Sequence, residues 1–380
     1  MSWRVTLFDI DLDQAEIDAV TAVLSSRWIS MGAVTQKFEQ EFASSLDVPE
    51  AVAVSSGTAA LHVAVMALGL EPGSEVIMPS LSFVASAATV ILAGACPVFA
   101  EVKGPHDLTI DPADVARKIT SKTRAIIVMH YGGYAADMEA LLALARRYGL
   151  AIIEDAAHAP VVRYGSGMLG TLGDIGCFSF FATKNMTTGE GGMVVARDPV
   201  LLRKARSLRS HCMTTTSWDK HHGRSSAYDV DGLGLNYRIS DIASSIGRVQ
   251  LRKLATDRRR RVKIAAMYRA ALSDLPHVVL PFADRYHDDS AHHLFPLILP
   301  SAQQRPYFQE QLKLAGIQSS VHYPPMHLFS YYRQHYHYQD GSLPITEDIA
   351  TRVVSMPMHA CLTQEQVDWV ITCTRQLLEK

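Results

Sequence analysis

Between residues 51 and 197 short apolar runs alternate with stretches whose apolar positions recur at helical spacing. The runs are AVAVS from Ala51, EVIMP from Glu75, CPVFAEV from Cys96, RAIIVMH from Arg124, LAIIED from Leu150, IGCFSFF from Ile175 and GGMVVAR from Gly191. Helical stretches such as Thr58 to Leu68 and Met138 to Tyr148 lie between them. This alternation predicts an α/β class: a large domain with a mostly parallel seven-stranded sheet flanked by helices. After Arg238 the pattern changes to two long helical stretches, DIASSIGRVQLRKL and RRRRVKIAAMYRAAL, followed by a mixed tail. A boundary near residue 250 is expected, giving a large domain over 1–250 and a smaller α+β C-terminal domain over 251–380.

Composition narrows the partners. The chain of 380 residues carries 36 basic and 38 acidic side chains, a formal net charge of -2 that provides no field for nucleic acid or an anionic membrane. Residues 77–100 hold no charge over a length that would span a bilayer, but Pro79, Gly94 and Pro97 leave only Phe83 to Ala93 as a continuous helix. A buried core helix is expected there. The N-terminal MSWRVTLFDIDLDQ is acidic where a targeting peptide needs basic residues, so a cytoplasmic location is expected. Cys96, Cys177, Cys212, Cys361 and Cys373 are scattered without CxxC spacing, which reads as reduced, mostly buried thiols and no zinc site.

Parallel sheets bind ligands beyond the carboxyl ends of their strands. The residues just past these runs are Ser55, Ser56, Gly57 and Thr58, then Pro79 to Phe83, His130 and Tyr131, Asp155 to His158, and Thr183 with Lys184. SSGTAAL places serines and a glycine at a tight strand-to-helix turn whose first amides can bind an anion. An ordinary N-cap by Ser56 or Thr58 would use the same residues. Ser179 can add a hydroxyl to that cradle. Asp155 ends an apolar strand, where a carboxylate is costly unless a cation faces it.

A phosphate cradle, a buried acid that needs a cationic partner and a lysine in the same edge fit pyridoxal 5'-phosphate. At these residues the sequence resembles the DegT/StrS sugar aminotransferases, which share the aspartate aminotransferase fold. The similarity runs in family order through MGAVTQKFEQEFA, SSGTAAL, VIMPSLSFVASA, VMHYGGYAADMEAL, IIEDAAHA, FSFFATKNMTTGEGGMVV, LGLNYRISDIASSIGRVQL, HYPPMHL and SMPMHACLTQEQVD. The resemblance implies that Lys184 is the Schiff-base lysine and Asp155 the pyridinium partner, with Ser56, Gly57, Thr58 and Ser179 at the phosphate. It places Phe83 where a ring stacks on the cofactor and His158 beside the cofactor's oxygen side. A plain core aromatic and a satisfied core histidine are the alternatives at those two positions. Asn236 matches a residue that reaches the phosphate from the neighbouring subunit, which implies a homodimer with shared sites. No nucleic acid or membrane partner is expected.

The implied activity is transfer of an amino group from L-glutamate, or L-glutamine, to a keto sugar carried on a nucleotide. Trp28, His322 and Tyr323 are substrate candidates. Trp28, Trp218 or Tyr323 can pack on a sugar face, and Arg27, Lys220 or Arg224 can meet phosphate, although the same loops would also suit a dimer interface. A keto-cyclitol acceptor is the runner-up; a dehydratase is disfavoured because Lys184 is present, and a non-catalytic regulator because no DNA-binding module precedes residue 51. Other reactions on the same cofactor, decarboxylation or racemisation, remain open. The run Arg258 to Arg261 reads as a solvated helix face, and Glu190 as a loop residue. The pairs His221 and His222, and His292 and His293, diverge too far to share a metal, so no metal is predicted.

Overall fold

The computed structural model describes residues 3–215, 223, 227–285 and 290–379 of the chain. All seven apolar runs become strands of one sheet, here numbered in chain order. They are β1 (Val52–Val54), β2 (Glu75–Pro79), β3 (Cys96–Ala100), β4 (Thr123–Met129), β5 (Ala151–Asp155), β6 (Ile175–Ser179) and β7 (Gly192–Ala196). The order across the sheet is β1-β7-β6-β5-β4-β2-β3. Strands β2 to β6 pair in parallel, whereas β7 runs antiparallel to both β1 and β6. The carboxyl ends of six strands and the amino end of β7 therefore share one edge.

Strand alternation divides the core between two faces. Ile153, Ile175 and Cys177 pack with the helices Gly57–Leu68 and Ala85–Leu92, while Ile152, Ile126 and Val128 pack with Met138 and Leu141 of the helix Met138–Tyr148. The charge-free segment over 77–100 supplies the end of β2, the eight-residue helix Ala85–Leu92 and β3. That helix buries one face only: Leu92 is 70% exposed. No described helix is long and apolar enough to cross a membrane.

The two helical stretches after Arg238 are one continuous helix, Asp241–Leu272, of 32 residues. No proline interrupts it, and residue 250 lies within it. The arginine run on this helix is not a wholly solvated face. Arg259 and Arg260 are exposed, but Arg261 is buried and donates to the carbonyls of His292 and Met358, and Arg258 donates to the Ser290 carbonyl at 3.1 Å. The guanidinium fork can satisfy carbonyls inside a seam, which charge counting along a helix does not reveal.

Past this helix, Phe295–Ile298 pairs antiparallel with Val353–Met356. The helices Gln304–Leu314 and Gln364–Leu378 contribute Phe308, Leu312, Val367 and Val370 to the core around that pair. The N-terminal segment is strapped across this region: Val5 accepts from Gln318 N at 2.9 Å and Leu7 from Met358 N at 3.1 Å. All five cysteines are free, with Cys177, Cys212 and Cys373 buried.

Candidate active site

The site begins where β1 turns into the helix Gly57–Leu68. Ser56 is the N-cap, its hydroxyl accepting from Ala59 N at 3.0 Å, so the ordinary capping function is present. The first amides of the helix still lack intrahelical acceptors, and Gly57 and Thr58 line a cavity at that point. Gly57 is required by proximity to β6. A Cβ there would stand 2.7 Å from Ser179 Cβ. At the start of β7, a Cβ on Gly192 would stand 2.4 Å from the Ser56 carbonyl oxygen. Both glycines let β1, β6 and β7 bring Ser56, Gly57, Thr58 and Ser179 to one end of a cavity of about 380 Å³.

Strand register supplies the floor. Met129, Asp155 and Cys177 stand side by side on β4, β5 and β6, and all three line the cavity. Asp155 is 4% exposed and accepts from Ala157 N at 3.1 Å. Burial raises its pKa above the usual aspartate value, outweighing that amide and the attraction of Lys184 and His130. Lys184 enters the same cavity from the loop after β6. Burial lowers its amine from the ordinary 10.5 to about 8, against the opposing pull of Asp155. A carboxylate and an amine therefore share a space in which each lacks full compensation from the other.

The remaining wall comes from the C-terminal part of the chain. Gly132 N–H donates to His158 Nδ1 at 3.3 Å, so Nε2 carries the proton and donates to the Tyr323 hydroxyl oxygen at 3.0 Å. The Tyr323 hydroxyl hydrogen is then free to be offered to the cavity. Asn185 Nδ2 donates to the Ala291 carbonyl at 2.6 Å, which turns its oxygen toward His293 Nδ1 at 2.8 Å and leaves His293 Nε2 as an acceptor. His322 Nδ1 lies 2.8 Å from Ser355 Oγ. Burial holds His158 and His293 well below the usual histidine range and pushes His322 down to about 4. Three neutral imidazoles thus surround the lysine.

The family model for the DegT/DnrJ/EryC1/StrS aminotransferase family matches residues 10–375. The chain belongs to that family. It is 36% identical to the spore coat polysaccharide biosynthesis protein SpsC of Bacillus subtilis, over 97% of this chain and 95% of SpsC. The crystal structure of the aminotransferase TlmJ from Streptoalloteichus hindustanus superposes with a TM-score of 0.91 at 35% identity, covering 99% of each chain. Spr1654 of Streptococcus pneumoniae, solved in a PLP form, superposes with a TM-score of 0.90 at 27% identity, covering 100% of this chain and 99% of that one. Aminotransferases of the DegT family are PLP-dependent.

In this DegT-family chain the cavity gathers ten residues expected from sequence: Ser56, Gly57, Thr58, Phe83, Asp155, His158, Ser179, Lys184, His322 and Tyr323. Phe83 is 53% exposed at its mouth rather than packed in the core, and Glu190 also lines it. Asn236 and Trp28 do not. Asn236 is exposed and bridges to Ser210, while half-buried Trp28 packs against Gly32. Arg27 is exposed, and Trp218, Lys220, Arg224, His221 and His222 lie outside the described residues. Several lining residues escaped the sequence reading, among them Phe8 and His293, whose rings stack with centroids 5.6 Å apart. The available signal was the His292 and His293 pair ahead of LFPLIL, although the two rings are separated by the left-handed backbone at His292 rather than by strand alternation.

Proposed function

We propose that the chain is a pyridoxal-phosphate-dependent aminotransferase acting on a nucleotide-linked keto sugar, with L-glutamate as donor and L-glutamine as the alternative. The observation that carries this reading is the shared cavity of Lys184 and Asp155, one amine and one buried acid, with a serine and amide cradle at one end. The residues fit the cofactor. Asp155 is a carboxylate whose burial outweighs its partners in the chain, as expected where a cationic ring completes the pairing. Gly57 lets the helix N-terminus sit against Ser179, which brings its free amides and that hydroxyl to one spot.

Ser56, Gly57, Thr58 and Ser179 would hold the phosphate, Asp155 the ring nitrogen, Phe83 one ring face, and Lys184 the carbonyl carbon. When bound, the cofactor supplies an aldehyde and an electron-withdrawing ring. Lys184 Nζ, about half neutral near pH 8, would take up the donor's Cα proton and hold it for return. His158 fixes Tyr323, whose hydroxyl hydrogen is the free donor on that wall. The described lining offers the phosphate hydroxyls and backbone amides but no arginine, so a further hydrogen-bond donor from a second subunit would help to hold it. Asn236, exposed and tethered at Ser210, is the residue proposed to give it in a homodimer. A cofactor domain over 1–250 and a smaller one over 251–380 is the accompanying division, the latter providing His293, His322 and Tyr323.

The test combines a donor screen with an acceptor panel. Purified protein is loaded with pyridoxal phosphate and given glutamate, glutamine, alanine or aspartate, and then nucleotide-linked 3-keto and 4-keto hexoses or free keto-inositols, with products identified by mass. Turnover of a nucleotide-linked hexose with glutamate supports the reading. Activity confined to free cyclitols replaces the acceptor and keeps the aminotransferase. Mixing Lys184→Ala with Asn236→Ala subunits restores activity if sites are shared, whereas a fully active monomer removes the shared site.

A further inference from the structure

Outside the cavity, Asp9, His359 and Cys361 each bring one potential ligand atom to a point where all lie within 4.8 Å of one another. Asp9 belongs to the N-terminal strap, and His359 and Cys361 follow the strand Val353–Met356. His359 is 2% exposed. Its Nε2 lies 3.2 Å from the Thr6 carbonyl oxygen, which can only accept, so Nε2 carries the proton and Nδ1 keeps a lone pair. That Nδ1 is buried and has no hydrogen-bond partner. An orphaned buried acceptor of this kind is unfavourable, and a bound cation removes the penalty. Asp9, Asp11 and Asp257 all act on the Cys361 thiol, opposed by Arg261, and Arg260 pairs with Asp11 at 3.3 Å. Arg261 opposes these acids at both Cys361 and His359, so a cation here would be held by its direct ligands rather than by the surrounding field.

A thiolate, an imidazole and a carboxylate form a borderline-soft set suited to Zn²⁺, with a fourth position left for water. We propose that Asp9, His359 Nδ1 and Cys361 Sγ form a Zn²⁺ site that pins the N-terminal strap to the C-terminal part of the chain. Binding replaces the Cys361 S–H proton, which is released to solvent. Phe8, next to Asp9, stacks on His293 in the cavity wall, so occupancy also fixes one ring of that wall. The proposal is independent of the reaction assigned to the cavity.

Protein stripped with a chelator and dialysed is titrated with ZnCl₂ by calorimetry and with Co²⁺ by absorbance. One Zn²⁺ per chain, proton release, a raised Tm and a thiolate-to-cobalt charge-transfer band are expected. Cys361→Ser abolishes the band, and it and the exposed Asp9→Asn each weaken Zn²⁺ binding by at least about tenfold, the lower end of the effect of disturbing a metal site's supporting groups. Neither change enters the buried core, so both variants should fold. Equal Zn²⁺ uptake by all three proteins, no binding at all, or a cobalt-thiolate band that survives Cys361→Ser and so belongs to another cysteine, would overturn the site.

Discussion

Glu154 and Asp155 follow one another at the end of β5, both buried, and alternation sends them to opposite faces of the sheet. Glu154 is satisfied by its own chain. It accepts from Gly170 N, Leu172 N and Gly173 N at 2.6–2.8 Å and lies 2.9 Å from His130 Nε2. Asp155 receives one backbone amide, and burial still raises its pKa. Two acids in one sequence thus separate into a structural one, saturated by loop amides, and one whose partner must come from elsewhere. Burial alone does not mark function; what marks it is burial that the fold leaves incompletely answered.

This contrast is open to direct challenge. The largest effect is expected from Lys184→Ala, which removes the amine that faces Asp155: turnover falls by about 10⁴-fold or more, and the visible absorbance of the loaded protein is lost. Wild-type turnover in that variant would end the assignment. Asp155→Asn should lower kcat by about 10²–10³-fold, the scale of losing one electrostatic partner of the reacting group, with little loss of fold. Glu154→Gln should do the reverse. Its amide NH₂ would face backbone N–H groups, costing about 2–4 kcal/mol in denaturant unfolding, while activity per folded molecule stays within about twofold.

A pH measurement sharpens the same point. In the cofactor-free protein Lys184 has a folded pKa of about 8 against 10.5 ordinarily, so the unfolded state binds more protons between those values. Its contribution to stability therefore rises with pH from about 8 to 10.5, and Lys184→Ala should flatten that rise. The smallest effect is expected from Tyr323→Phe, which deletes the hydroxyl that His158 orients: about 1 kcal/mol, roughly fivefold in kcat/KM. A Tyr323→Phe variant indistinguishable from wild type would reduce the His158 contact to packing.

The sequence was most legible where chemistry is local. SSGTAAL, IIED and the loop carrying Lys184 each combine an apolar strand with a polar exit, so the sheet and the floor of the cavity could be read before any packing was known. The far wall was less legible, because His293 and Phe8 reach it through strap and sheet contacts between residues hundreds of positions apart. Arg261 misled for a related reason: a buried guanidinium bonded to carbonyls has the same sequence signature as a solvated one. Asn236, read from a family likeness, and Trp28, read from the aromatic and polar make-up of its segment, lie outside the cavity of a single chain, where only a second subunit would bring Asn236 into play.

The central claim is that Asp155 is held buried for a cationic partner beyond what Lys184 and His130 supply. Thermal unfolding of wild type and Asp155→Asn, each without and with saturating pyridoxal phosphate, tests it most directly. The account predicts that cofactor-free Asp155→Asn melts at or above the wild-type temperature, because an uncompensated charge has been removed, and that the cofactor raises its Tm by much less than it raises that of wild type. A cofactor-free Asp155→Asn destabilised as strongly as Glu154→Gln, with the same cofactor-induced rise as wild type, would contradict it.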